Sequence, residues 1–125
     1  MVVNKLFFRI VIRWLANAFG LWLASRLLPG LVFNGGPVMF VVAGLLLSVI
    51  NTLIKPLVII LSLPAIVLTL GLFIVFINGL MVAIAASLMD SLSVDGFGTA
   101  VLAGLIIGLV NYAVTTVIEE KRIHG

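Results

Sequence analysis

Residues 38–61 read VMFVVAGLLLSVINTLIKPLVIIL, a run in which Lys55 is the only charged residue. An α-helix needs about 20 predominantly apolar residues to cross the hydrocarbon core of a bilayer, so this run is long enough to do so. Three further runs of similar length and composition lie at residues 6–28, 65–89 and 97–118. The chain is therefore predicted to be a single all-α transmembrane domain, residues 1–125, with four membrane-spanning helices.

The composition excludes a soluble globular protein. Of the 125 residues, 64% are hydrophobic and 9% are charged, and the mean hydropathy is +1.45. Soluble domains carry about 25% charged residues, and a domain of this size has too little interior to hide so much apolar surface. Because the chain has no cysteine, it cannot form a disulfide, an iron–sulfur cluster or a thiolate zinc site.

Proline and glycine mark the links between the apolar runs. The first run ends at Pro29-Gly30, and residues 34–37, Asn-Gly-Gly-Pro, are typical of a turn followed by a helix with proline in its first position. Residues 62–64, Ser-Leu-Pro, predict a tight turn, and the polar residues 90–96 link the last two runs.

The second run contains its own interruption. Pro56 lacks an amide hydrogen and disfavours helical geometry at Lys55. We therefore predict that the second helix is broken or kinked near Lys55-Pro56, close to the cytoplasmic interface, and that residues 56–63 form a short interfacial piece.

The basic residues predict the orientation. With both termini in the cytoplasm, six of the seven basic residues lie on the cytoplasmic side and only Arg26 lies outside, which satisfies the positive-inside rule. The six are Lys5, Arg9, Arg13, Lys55, Lys121 and Arg122. Since the first run exceeds the apolar core of a signal peptide, about 7–15 residues, we interpret it as an uncleaved anchor.

An internal repeat relates the two halves of the chain. Shifted by 60 residues, Val42-Ala43-Gly44-Leu45 matches Leu102-Ala103-Gly104-Leu105, and Asn51 matches Asn111. The first and third helices align less well, but each carries a central asparagine, Asn17 and Asn78. Chance similarity between two Leu/Gly/Ala-rich helices is the alternative to a duplicated helical hairpin. Duplication would relate two parallel repeats by a pseudo-two-fold axis along the membrane normal.

Small residues and asparagines share one face of the second and fourth helices, because residues spaced by three or four lie on one stripe. The stripes are Gly44, Ser48, Asn51 and Lys55 in the second helix, and Gly104, Gly108, Asn111 and Thr115 in the fourth. Such pairs of small residues allow close approach of backbones in membranes. We therefore predict that the second and fourth helices pack through these stripes. Leucine at Gly104 or Gly108 should be disruptive, and leucine at Ala100 milder.

Two interpretations of the polar residues remain open. The asparagines Asn17, Asn51, Asn78 and Asn111 could form structural bonds between helices or line a polar path through the bundle. Arg9, Arg13 and Lys55 could extend to the interface, line a cavity or bind anionic lipid headgroups. A proton relay would need intramembrane carboxylates or histidines, which the runs lack. We expect no catalytic residues, no metal, no cofactor and no nucleic-acid partner.

Four motifs in series carry a family resemblance. They are NTLIKPL at residues 51–57, LSLP at 61–64, LTLGLF at 68–73 and NGLM at 78–81. With these motifs, nearly the whole chain resembles the YvlD-type family, catalogued as four-helix phage holin superfamily IV. The resemblance implies a small, multi-pass protein of a bacterial inner membrane, surrounded by lipid.

Three functional hypotheses follow. The first is a holin-like or channel-like homo-oligomer. The second is a structural or regulatory subunit of a larger membrane complex, or a lipid-binding protein. The third is a small transporter whose site is framed by the asparagines. An enzyme is not expected, because the chain lacks a nucleophile–base pair.

Overall fold

A computed structural model describes residues 2–124 of the chain, and the side chains of residues 3–118. The structure is mainly helical. Its elements are, in chain order, α1 (Val2–Leu27), β1 (Leu31–Phe33), α2 (Pro37–Leu53), α3 (Lys55–Leu61), α4 (Leu63–Leu68), α5 (Phe73–Leu88), β2 (Leu92–Val94) and α6 (Phe97–His124).

The four long helices form a ring. Helix α1 packs against α2 and α6, and α5 packs closely against α6 and less extensively against α2. The helices approach closely because many of the buried residues are small, including Ala24, Ala43, Ala100 and Ala103. The core is completed by larger side chains such as Leu21 and Met81.

A two-stranded antiparallel sheet closes one end of the ring, which we call the sheet end. Leu31 pairs with Val94, Val32 with Ser93 and Phe33 with Leu92. The side chains of Leu31 and Leu92, one from each strand, are buried in the core. The sequence pattern did not predict these strands, because each has only three residues and lies between glycine, proline and acidic residues.

The third apolar run is divided differently from the prediction. Residues 65–68 belong to α4, and α5 begins at Phe73 rather than at Ala65. The chain reverses between these helices at Leu70 (φ 56°) and Gly71 (φ 92°). A left-handed glycine of this kind commonly ends a helix. Instead of the tight turn predicted at residues 62–64, Ser62 alone separates α3 from α4.

The predicted interruption of the second helix is present. Helix α2 ends at Leu53 and α3 begins at Lys55, with Pro56 in the first turn of α3. Helical hydrogen bonding continues through Ile54. Its amide donates to the carbonyl of Ile50 (2.8 Å), and its carbonyl accepts from the amide of Val58 (3.2 Å). The interruption is therefore a local distortion and not a reversal of the chain.

Among residues 2–124, three helical segments are long and apolar enough to cross a membrane: Val3–Leu27, Pro37–Leu61 and Phe97–Ile118. The fourth apolar helix, Phe73–Leu88, is shorter. The start of α1 and the end of α6 lie away from the sheet end, because α1 runs towards β1 and α6 runs away from β2.

Candidate polar site in the helix bundle

Asn17 joins three helices through its side-chain amide. It is 3% exposed, on the face of α1 that turns into the bundle. Its Nδ2 donates to Oγ of Ser48 in α2 (2.7 Å), and its Oδ1 accepts from Nδ2 of Asn111 in α6 (2.6 Å). Asn111 also donates to the carbonyl of Ile107 (3.1 Å). We call Ser48, Asn17 and Asn111 the polar chain. Each amide atom of Asn17 is thus matched with a partner, as buried polar groups require.

Gly44 and Gly104 each lie against the helix that comes before their own in the chain. A Cβ atom at Gly44 would stand 2.8 Å from the backbone nitrogen of Ala18 in α1. A Cβ at Gly104 would stand 2.6 Å from the backbone of Asn78 and Gly79 in α5. Gly44 and Gly104 therefore pack within a hairpin, α1 with α2 and α5 with α6, whereas Asn111 of the second stripe bonds to Asn17 in α1.

The prediction that the second and fourth helices pack together is wrong. Among the described residues, α2 and α6 face each other diagonally across the ring and form no packed pair. A stripe of small residues indicates that some backbone comes close, but it does not identify which one. The short links through β1 and β2 instead place α1 beside α2 and α5 beside α6. The milder effect predicted for leucine at Ala100 also loses its basis, because Ala100 is 0% exposed.

Asn51 and Asn78 lie outside the polar chain. Both are half-buried, and in the described part of the structure neither is hydrogen-bonded to a member of that chain. Asn78 borders Gly108, where a Cβ would lie 3.2 Å from its Nδ2 atom. The structure therefore divides the four predicted asparagines into a bonded pair, Asn17 and Asn111, and a separate pair.

Basic side chains occupy the other end of the bundle from the sheet. Arg9 and Arg13 are exposed on α1, and Lys55 is half-buried at the start of α3. Arg13 lies about one helical turn beyond Asn17, and Lys55 about two turns beyond Ser48, so the bond between Asn17 and Ser48 places both basic residues towards this end of the bundle. We call Arg13 and Lys55 the basic pair. Two basic side chains at the same end of the bundle favour an anion, such as a phosphate.

Sequence reasoning missed the contacts that fasten the sheet end. The Asp95 carboxylate lies against Gly30, where a side chain would collide with it, and it accepts a hydrogen bond from Oγ1 of Thr99. The amide of Asp95 donates to the carbonyl of Gly30 (3.0 Å). The sequence offered no clear signal for these contacts, because Asp95 lies two residues before α6 and its carboxylate bonds a hydroxyl and not a helix amide, unlike an N-cap.

A second feature of the sheet end is an open pocket of about 390 Å³ beside Trp22 and Phe40. Residues 35–37 complete its lining, which is mostly apolar. The guanidinium of Arg26 lies 5.8 Å from the centre of the Trp22 ring. Among the described residues, no group of three or more His, Asp or Glu side chains lies together where a metal could bind.

The family described as mycobacterial 4 TMS phage holin, superfamily IV, matches residues 8–113. An uncharacterized protein of Streptomyces coelicolor is 34% identical over 119 residues, 88% of this chain and 95% of the relative. The uncharacterized membrane protein YvlD of Bacillus subtilis is 44% identical over 81 residues, 64% of this chain and 68% of that protein. No solved structure matches.

Proposed function

Because the chain belongs to the mycobacterial 4 TMS phage holin family, superfamily IV, we propose that it is a holin-like membrane protein that acts as a homo-oligomer. In this proposal, ions or small solutes pass between copies of the chain and not through a single bundle. The observation that carries it is the contrast between the polar chain, which is enclosed, and Arg13, which is exposed on a helix long enough to span the membrane.

The interior of one bundle is a poor conduit. Asn17 is bonded on both sides, by Ser48 and by Asn111. The glycine contacts on either side of it leave backbones in direct apposition: a Cβ at Gly20 would lie 3.0 Å from the Cα of Ile107. Opening a path along the bundle axis would require these hydrogen bonds and contacts to break together.

Arg13 supports a path between copies. It lies 14 residues from the end of α1 at Leu27, about 21 Å along the helix axis. If Leu27 lies at one surface of a hydrocarbon core about 30 Å thick, the Arg13 side chain therefore starts about 9 Å or more inside the opposite surface. Charged side chains at such depths are costly in lipid, about 2.5–3.5 kcal/mol at the centre. A water-filled contact between copies would remove much of this cost.

Reconstitution of the full chain tests the proposal. We expect release of a small dye from loaded vesicles to rise more steeply than linearly with the protein-to-lipid ratio, because copies must associate first. Arg13→Leu should reduce this release, whereas Arg26→Leu, at the sheet end, should not. A chain that stays monomeric by native mass spectrometry and releases no dye at any ratio would refute the proposal.

The basic pair favours a second function, the binding of anionic lipid. Arg13 on α1 and Lys55 at the start of α3 lie towards the same end of the bundle, and their long side chains can extend to the headgroups there and supply two positive charges to anionic lipid. Native mass spectrometry with phosphatidylglycerol and phosphatidylcholine distinguishes this role. We expect retention of phosphatidylglycerol, lost in Arg13→Gln with Lys55→Gln and kept in Arg26→Gln; equal retention of both lipids would contradict it.

Duplication of a hairpin is part of the proposal for the fold. Each half runs helix, strand, helix, and the strands pair centre to centre, Val32 with Ser93. Gly44 lies against Ala18 in the first half as Gly104 lies against Gly79 in the second. These correspondences support a pseudo-two-fold axis through the centre of the sheet.

We also propose that both termini are cytoplasmic, that the membrane is a bacterial inner membrane, and that the role of the chain is not catalytic. The positive-inside bias supports the orientation. Four of its six cytoplasmic residues, Lys5, Arg9, Arg13 and Lys55, have described side chains. The side chains of Lys121 and Arg122 lie outside those that the structure describes.

A further inference from the structure

Residues 55–72, which include α3, α4 and the following turn, expose many apolar side chains, while Val58, Ile59 and Ile66 pack partly against the core. No residue of α3 or α4 is buried. Leu61 and Leu68 are 83% exposed and Leu70 is 94% exposed. Lys55 is the only charged residue among them. We call residues 55–72 the apolar segment. In water, so continuous an apolar surface would be an exception among monomeric proteins.

The lengths of the flanking helices place this segment at membrane depth. Helix α2 has 17 residues and α5 has 16, which correspond to about 25 Å and 24 Å. Both helices adjoin the sheet end, so Leu53 and Phe73 lie at nearly the same depth. The hydrocarbon core is about 30 Å thick. If the sheet end lies at one surface, α5 therefore begins several ångströms before the other surface.

The apolar segment cannot continue straight out of the membrane. It leaves Leu53 and must return to Phe73, and both α3 and α4 contact α5. The helical residues of α3 and α4 thus bend out and back beside the end of α5. The return to Phe73 brings Leu68 and Leu70 back near the depth at which α5 begins.

The amides of the turn are bonded as those of a chain in lipid must be. In hydrocarbon, each backbone polar group has to find a partner within the protein. Seven consecutive amides, from Thr69 to Val75, donate within the chain: Thr69 to Ala65, Leu70 to Val67, Gly71 to Ile66, Leu72 to Thr69, Phe73 to Oγ1 of Thr69, Ile74 to Gly71 and Val75 to Leu72. The Thr69 hydroxyl is itself bonded to the Ala65 carbonyl (2.8 Å). No amide of this reversal depends on water.

We propose that the apolar segment is a re-entrant helical element embedded among the acyl chains of one leaflet, at the opposite end from the sheet. Its occupant is lipid, and not solvent or a second copy of the chain. The proposal requires membrane insertion of the chain but not conduction, so the dye-release outcome does not decide it.

Collision of a spin label with two relaxing agents tests the proposal. Because the chain lacks cysteine, a single label can be placed at Leu68→Cys in the full chain in lipid nanodiscs. Oxygen concentrates in hydrocarbon, whereas nickel ethylenediaminediacetate remains in water. Leu109→Cys, on the exposed face of α6, is the lipid reference, and Ser93→Cys, exposed in β2, is the water reference.

We expect the ratio of oxygen to nickel collisions at residue 68 to match that at residue 109 and to exceed that at residue 93 severalfold. A ratio equal to that at residue 93 would make the segment an aqueous loop. Low collision rates with both agents would mean that protein covers it, and either result overturns the proposal. If Leu68→Cys does not fold, Val67→Cys, 69% exposed, supplies the same measurement.

Discussion

Substitution of Gly104 by alanine should separate close backbone packing from ordinary helix propensity. At Gly104, the added Cβ would lie 2.6 Å from the carbonyl carbon of Asn78 and from the amide nitrogen of Gly79. Both atoms belong to the backbone of α5, so no side-chain rotation can relieve the overlap. To bring the contact to 3.4 Å, where ordinary van der Waals distances begin, α5 and α6 must move apart by 0.8 Å.

This movement sets the expected magnitude. Overpacking of a well-packed core costs about 1–3 kcal/mol. Alanine in place of glycine in a helix recovers up to about 1 kcal/mol. The shift would be transmitted along much of the contact between α5 and α6, so we place the net loss of unfolding free energy at about 1–2 kcal/mol, towards the middle of the range that these two effects allow.

The same helix provides matched controls. A Cβ at Gly98 meets nothing within 4 Å, so Gly98→Ala should be neutral or slightly stabilising. A Cβ at Gly108 would meet only the Asn78 side chain, at 3.2 Å, so Gly108→Ala should lie between the other two. Equilibrium unfolding in mixed detergent micelles, followed by the fluorescence of Trp14 and Trp22, measures all three. If Gly104→Ala proves as stable as Gly98→Ala, the inferred close approach of α5 and α6 is incorrect.

Three further predictions concern other parts of the fold. Asn17→Ala and Ser48→Ala should each destabilise the chain, with a coupling of about 0.6 kcal/mol in a double-mutant cycle; additive effects would mean that their hydrogen bond contributes nothing. Gly30→Ala should cost about 1–3 kcal/mol by overpacking against the Asp95 carboxylate, and Asp95→Ala should restore part of the loss measured in the same unfolding assay. A cysteine at Ser93 should react with an impermeant maleimide from the periplasmic or outer side of intact cells, and reaction only from the cytoplasmic side would reverse the proposed orientation.

Length and apolar composition predicted most of the fold. The runs that became α1, α2 with α3, and α6 stand out because few charges interrupt them, and Pro56 marked the distortion next to Ile54. The bounds of the third helix were wrong because leucines occur both in the helices and in the reversal around Gly71. Only the left-handed backbone at Leu70 and Gly71 separates α4 from α5, and apolar composition carries no information about it. The family resemblance is confirmed by the match over residues 8–113.

The predicted site residues were easier to select than to pair. An asparagine in an apolar helix must find a partner, because an unpaired amide in a membrane is costly. That argument selected Asn17 and Asn111 but not the hydrogen bond between them, 94 positions apart in the chain. Small residues likewise indicated close contacts without indicating that Gly44 meets Ala18. Partner choice depends on the order of the helices around the ring, which is a property of the whole chain.

The two halves match in order but not in the strength of their contacts. Helix α1 has 26 residues and its counterpart α5 has 16. Between α1 and α6, Asn17 and Asn111 are bonded, whereas their counterparts Asn78 and Asn51 are not bonded across the smaller contact between α5 and α2. Regions with fewer buried contacts and hydrogen bonds open at lower free energy. Any rearrangement that accompanies assembly is therefore expected first between α2 and α5, where the apolar segment joins them, while the contact between α1 and α6 holds the halves together.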